Sequence, residues 1–415
     1  MTPPVASSAI RLGILASHPI QYQAPLFRAL SRVPNLAVEV LFCCKWGLER
    51  YTDPGFGQAI AWDVPLVEGY KHRFLSNLHP NSSPTGFFNL SNPGAAAAVF
   101  RRDFDAVFIH GWTFSTNWTC WAAAALRSIP VLLRGESSIV LDPPEGRSLR
   151  KRLLLSLLFR RVSAFLSIGS NNTEFYRSFG IPDKKIYLAP YSVDNSFFFS
   201  AADNLAPQRP EYRAEIGVQN DAPVVLFCGK LQRRKRPMDL LEAYGRIAAE
   251  SNAWLVFVGD GELRAELEQY TQAHHLERVK FLGFKNQTEI SKAYLAADIF
   301  VLPSDIETWG LVVNEAMCFG LPIITSDRVG SSADLVRDKY NGYVYRTGDV
   351  TGLAERLRGL VHDAPLRRKM GEHSKKLISL WGVEQTAAGI IRAVSEVVAK
   401  SVQEPKQSLP FVGSL

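Results

Sequence analysis

No apolar run in this sequence, LLLSLLF at Leu153–Phe159 among the longest, approaches the roughly 20 residues that a membrane-spanning helix requires. A spanning helix is therefore not expected. The first ten residues, MTPPVASSAI, hold neither Lys nor Arg ahead of an apolar core, so a secretory leader is not expected either. Cysteine is scarce: Cys43, Cys44, Cys120, Cys228 and Cys318 are odd in number and lack a CxxC pair, which speaks against a disulfide framework and a zinc site. A reducing, cytoplasmic compartment fits this usage. No solenoid period recurs. The basic residues are not interleaved with aromatics in a recognition motif, so nucleic acid is not an expected partner.

What is present is length and alternation. At 415 residues the chain exceeds what one core organises, and two domains are expected. Charge divides unevenly between them: residues 1–200 hold 20 Lys and Arg against 13 Asp and Glu, whereas residues 201–415 hold 27 of each. The basic half can face an anionic membrane or a phosphorylated substrate, or can be an ordinary solvated surface. Short β-branched runs (RLGILAS, AVEVLFCC, DAVFIHG, IPVLLRG, AFLSIG) are separated by longer helix-like stretches, and the pattern restarts with VVLFCG, AWLVFVGDG, RVKFLGF, DIFVLPS and LPIITSD. This implies an α/β chain with two doubly wound parallel sheets, residues 1–200 and 201–380, facing across a cleft. The polar, Pro-rich stretch from Asp194 to Pro223 reads as the linker between them. A helix over about 381–400 is expected to pack back on the first domain, and 401–415 reads as a mobile tail.

The richest segment is PSDIETWGLVVNEAMCFGLPIITSD, Pro303–Asp327. A strand ends near Ser304, a loop carries Glu307, Thr308 is placed as a helix cap, and the helix runs to about Phe319 before Gly320 stops it. The amides of Gly310, Leu311 and Val312 would then lie unpaired at a helix N-terminus, which suits a diphosphate. Glu307 and, eight residues on, Glu315 each offer two acceptor oxygens to adjacent hydroxyls. Upstream, VVLFCGKLQRRKRPMDLLEA sets Lys230 and Lys235 five apart at a strand end, where two cations can neutralise a departing diphosphate without a divalent metal. Arg233, Arg234 and Arg236 read as a solvated turn. FVGDGELRAEL invites a dinucleotide reading, but Arg264 stands where the third glycine of GxGxxG is needed, which disfavours it.

These motifs resemble retaining glycosyltransferase family 4, with its E-x7-E signature and two-domain GT-B fold, over about Arg11–Trp381. The resemblance implies that Glu307, Thr308, Trp309 and Gly310 hold the donor sugar. It places Lys230, Lys235, Gly310, Leu311 and Val312 on the donor diphosphate, Glu315 on the ribose, and Gly259, Gly283 and Phe284 around the base. Phe284 can equally be a core aromatic. His110, at the end of DAVFIH, matches a family histidine that touches the donor sugar, so His110, Lys235 and Glu307 form the expected catalytic set, although a lone His is often structural. The family usually has Arg where this chain has Lys230, trading a planar fork for a point charge. The implied mechanism retains the anomeric configuration with no clear protein nucleophile: the leaving diphosphate takes the acceptor's proton while the enzyme stabilises charge and excludes water. The co-substrate would be a UDP- or GDP-sugar, with no cofactor and no metal.

The first domain departs from the family pattern. ILASHPIQYQAPLF replaces a glycine-rich loop, which makes His18, Gln21 and Tyr22 candidates for an acceptor pocket, joined by Arg134, Glu136 and Ser137 of LLRGESS. APYSVD at Ala189–Asp194 replaces an Asn-Gly and alters the hinge. Asp103 and Asp105 spell DFD, which resembles a metal-binding pair but reads as a turn leading into a strand. RSLRKRLLLSLLFRR, Arg147–Arg161, carries six basic residues and no acid. It reads either as a contact with an anionic inner membrane face, delivering the enzyme to a lipid-linked acceptor, or as a packed helix with basic ends. Function is thus expected to be sugar transfer to a cell-envelope polysaccharide, glycolipid or other acceptor. A GT-B epimerase or phosphorylase and a non-catalytic sugar-nucleotide-binding protein are the alternatives.

Overall fold

Runs of Val, Ile, Leu and Phe covered on both faces build two parallel sheets, because such strands leave no polar face for water. The computed structural model describes residues 9–53, 55–79, 83–218 and 221–403. The segment from 404 onward, expected as a tail, and residues 1–8 lie outside the described residues. The first sheet has seven strands in the spatial order His72–Phe74, Leu36–Phe42, Ile10–Ala16, Ala106–His110, Val131–Arg134, Ala164–Ser167 and Ile186–Leu188. The second has six, in the order Val279–Phe281, Trp254–Val258, Val224–Cys228, Ile299–Leu302, Ile323–Ser326 and Gly342–Tyr345. Every pairing in both sheets is parallel. A separate antiparallel hairpin, Tyr51–Asp53 with Gln58–Ile60, projects from the first domain.

The stretch read as a linker is folded. Helices Asn195–Leu205 and Arg209–Glu215 occupy most of it, the first capped by the Asp194 carboxylate accepting from the Phe197 amide at 3.0 Å. Its composition misled because Phe198 and Tyr212, spaced far apart among polar residues, supply the buried contacts. Arg213 is buried and bonds Asp298 and the Ala296 carbonyl, tying this segment to the second domain. The last helix, Val383–Gln403, returns to the first domain, where Val383, Ala387, Ile390, Ala393, Val394 and Val397 join its core. Between the domains, the Asp334 carboxylate accepts from the Ser170 amide and hydroxyl, and Arg328 donates to the Val140 carbonyl at 2.7 Å. Among the described residues no helix is long and apolar enough to cross a membrane.

Candidate functional site

In a doubly wound sheet the crevice opens where successive connections leave on opposite faces, outside the carboxyl ends of the two strands concerned. In the second sheet those strands are Val224–Cys228 and Ile299–Leu302. Lys230 and Lys235 follow the first and Glu307 follows the second. A backbone tie, the Asp305 amide donating to the Arg234 carbonyl at 2.8 Å, draws the two loops together. Lys235 Nζ then donates to Glu307 Oε2 in a largely buried ion pair. Burial, with Arg234 and Lys230 nearby, lowers the Lys235 ammonium to about 7.

After Glu307 the chain meets the helix Leu311–Cys318, whose first residue follows Gly310 at φ 92° with no side-chain cap. Thr308 is exposed and does not cap it, contrary to expectation. The early amides are thus left for an anion. Gly310 is required twice over, since a Cβ there would strain a left-handed φ and approach Leu302 Cδ2 to 2.9 Å. Gly310→Ala is expected to cost about 1–3 kcal/mol, measured as a lower urea midpoint at unchanged slope. A midpoint equal to the parent's would remove this account of the turn.

Glu315 lies one turn into the same helix and accepts from the Tyr294 hydroxyl at 2.6 Å. Burial raises its carboxyl to about 7, although that hydrogen bond works the other way. It lines a cavity of about 150 Å³ together with Val312, Gly259, Phe284, Lys285 and, from the first domain, Gln21, Phe56 and Trp62. Gly259 is also a packing glycine: at φ +129°, a Cβ would fall 1.9 Å from the Gly229 carbonyl oxygen. Gly283 stands behind the cavity, its carbonyl accepting from the Gly259 amide at 2.8 Å. Arg264 pairs with Asp260 and Glu268 at the head of its helix.

Several expected residues are placed otherwise. The Trp309 side chain is 2 % exposed, stacked on Trp381 at 5.9 Å and bonded to Asn314, so its ring packs the domain junction and any contact with a sugar falls to its backbone. Arg134 is 3 % exposed; it donates to the Ala189 carbonyl at 3.1 Å and lies 4.9 Å over the Tyr191 ring, which makes it a support of the hinge, not part of an acceptor pocket. Tyr22 meets the other side of that hinge, edge-on to Tyr191 at 5.7 Å. The Tyr191 hydroxyl donates to Glu136 at 2.7 Å. Gln21, expected on the acceptor side, lines the Glu315 cavity. Asp105 is engaged with Arg11, and Asp103 with Arg101. Among the described residues no three His, Cys, Asp or Glu side chains gather as metal ligands.

His18 and His110 stand at the corresponding switch of the first sheet, after Ile10–Ala16 and at the end of Ala106–His110. Burial lowers His18 to about 4. Burial, then Arg134, lowers His110 to about 3. Both imidazoles are therefore neutral at physiological pH. His110 Nε2 is buried with no hydrogen-bond partner among the described residues.

The hairpin Tyr51–Ile60 was missed. Its Asp53 accepts from Lys230 Nζ at 2.7 Å and from the Gly55 and Phe56 amides, while Phe56 meets Phe284 at 4.8 Å. Desolvation works against the Asp53 carboxylate, but Lys230 and the two amides outweigh it and hold the carboxyl below its ordinary value. Just beyond, Asp63 accepts from the Thr288 amide at 3.1 Å. The segment straps the first domain across the cavity. DPGFG carries a tight-turn signal, but nothing in it points 177 residues away to Lys230.

The profile of the family described as "Glycosyl transferases group 1" matches residues 208–377, the part of the chain that carries these motifs. D-inositol 3-phosphate glycosyltransferase 2 of Catenulispora acidiphila is 33% identical over 321 residues, 72% of either chain. N-acetyl-alpha-D-glucosaminyl L-malate synthase of Bacillus anthracis is 29% identical over 198 residues, 48% of this chain, so the chain spans only half (50%) of that relative's length. HepE of Anabaena, crystallised with UDP, superposes with a TM-score of 0.71 at 18% identity over 93% of this chain and 100% of its own, which shows the GT-B fold.

Proposed function

The chain belongs to the group 1 glycosyl transferases, and from that membership we propose that it transfers a sugar from a uridine diphosphate sugar to a hydroxyl of a cell-envelope polysaccharide or glycolipid, with retention and without a metal. One observation carries the reading: Lys235 and Glu307 meet at the sheet's switch point, beside open helix amides and the cavity that Glu315 lines. In this reading Lys235, Lys230 and the Leu311 and Val312 amides hold the diphosphate. Glu307 takes hydroxyls of the sugar, and Glu315 those of the ribose. The base lies against Phe284 by Gly259. The UDP bound by HepE supports a uridine donor. GDP is the second candidate.

The leaving diphosphate would gain charge as the glycosidic bond breaks, and two lysines with a helix N-terminus stabilise that charge where it develops. His110, neutral at physiological pH, would stand at the donor sugar without titrating. Thermal-shift screening against UDP, GDP and ADP, then a transfer assay with the matching sugar nucleotides and detection of free nucleoside diphosphate, tests this directly. Stabilisation by ADP alone would overturn the donor assignment, and donor binding with neither transfer nor hydrolysis across a broad acceptor panel would favour a binding protein.

For the donor to enter, Lys230 must exchange Asp53 for a phosphate oxygen. Asp53→Asn is accordingly expected to tighten UDP binding about two- to fivefold, read by calorimetric titration. Weaker binding would mean that the hairpin orders the lysine instead of competing for it.

A further inference from the structure

We propose that the helix Leu149–Arg160 docks this protein on an anionic lipid bilayer through a leucine stripe that faces away from its own core. The helix has two apolar sides. Leu155, Leu158 and Phe159 are buried against the first sheet. On the opposite side Leu149, Leu153 and Leu157, spaced i, i+4, i+8, are 70%, 62% and 53% exposed, and Leu154 beside them is 54% exposed. Leucines at four-residue spacing share one helix face, so these exposures describe one continuous apolar strip. Such a strip on a folded surface is a contact surface for something.

The charge around it selects the occupant. Arg150, Arg152, Arg160 and Arg161 are exposed and enter no ion pair among the described residues. Arg147, counted with them from sequence, is not available: its side chain is buried between Asp142, Phe175 and Phe179. Lys151 is drawn to Asp142 at 2.9 Å. Four unpaired arginines flanking four bare leucines match the layering of an anionic interface, where apolar groups enter the acyl boundary and cations stay at phosphate level. At the helix's end Arg160, Arg161 and Ser163 line a recess with Lys185, whose ammonium donates to the Val162 carbonyl at 3.1 Å. The helix is also reached from the cleft, since the chain runs to it from strand Val131–Arg134 through the loop whose Val140 carbonyl receives Arg328.

The test is co-sedimentation of the full chain with vesicles of phosphatidylcholine alone and of phosphatidylcholine carrying about 30 mol% phosphatidylglycerol, at low salt. Binding is expected only to the anionic vesicles, released by salt. Leu153→Ser with Leu157→Ser should weaken it by more than about tenfold, and Arg160→Gln with Arg161→Gln by about 30-fold. Because all four positions are exposed, the variants should melt with the parent. Failure of the parent to bind anionic vesicles overturns the proposal, as does binding by both double variants that matches the parent's. If the leucine variants instead dissociate a dimer in sedimentation velocity and no vesicle binding is seen, the strip joins two copies of the chain and the lipid assignment is wrong.

Discussion

Glu307→Gln is expected to lower kcat by about a thousandfold while leaving the thermal transition close to the parent's. A group that meets charge or hydroxyls only in a water-poor cleft typically contributes two to three orders of magnitude, on the order of 3–4 kcal/mol. The fold should tolerate the loss because Lys235, already lowered to about 7 by burial, sheds its proton when its partner is removed. Lys235→Met should be comparably inactive. The double variant should be little worse than either single one, because the side chains touch and act as a unit. Steady-state kinetics on the three variants, with melting curves as control, decide the matter. A kcat within tenfold of the parent for either single variant would sink the site assignment.

The second large effect is a narrow pH optimum. If Lys235 holds the diphosphate as proposed it must be protonated, and with its free-enzyme value near 7 the donor kcat/KM should fall about tenfold per pH unit on the alkaline side. In the proposed reading Glu315 receives two ribose hydroxyls and must be ionised, so with its carboxyl near 7 the same quantity should fall on the acid side. The two limbs make a bell centred near pH 7. His18 and His110 contribute neither limb, since both titrate near 3 to 4. Lys235→Arg, always charged, should flatten the alkaline limb, and Glu315→Gln the acid one. A profile level between pH 6 and 8 would refute the assignment. Stability should move oppositely. The fold prefers neutral Glu315, so that contribution is full below the ordinary value of 4.5 and declines as pH rises through about 7. Ligand-free Glu315→Gln should therefore be more stable than the parent at pH 8, by on the order of 2 kcal/mol, in denaturant titration.

What could be read without coordinates shares one property: it depends on residues close together in the chain. Lys230 and Lys235 lie on one strand-end loop, and Glu307, Gly310 and Glu315 on one loop and the helix it feeds, so local backbone geometry fixes their mutual placement. The alternation of short buried strands with helices likewise yielded the two parallel sheets. Where the sequence misled, the fault was of two kinds. Trp309 and Arg134 flank the cleft in the chain, but their side chains turn into the domain junction, where the Tyr191 hinge offers aromatic packing and carbonyl acceptors. The Asp194–Pro223 stretch looked like a linker because its few anchoring side chains are dispersed among polar ones.

Sequence by itself therefore determined the sheet class, the cations and carboxylates proposed for the donor side, and the presence of a basic, leucine-rich helix. Only the tertiary structure decided that Lys235 meets Glu307, 72 residues away. It alone set Asp53 on Lys230 and Phe56 on Phe284, and chose which of the two leucine faces of helix Leu149–Arg160 is covered. The physical reason is that periodicity records how many apolar faces an element has, whereas the partner that covers each face is set by other chain segments, some near and some far in sequence, that pack only once the whole fold has closed.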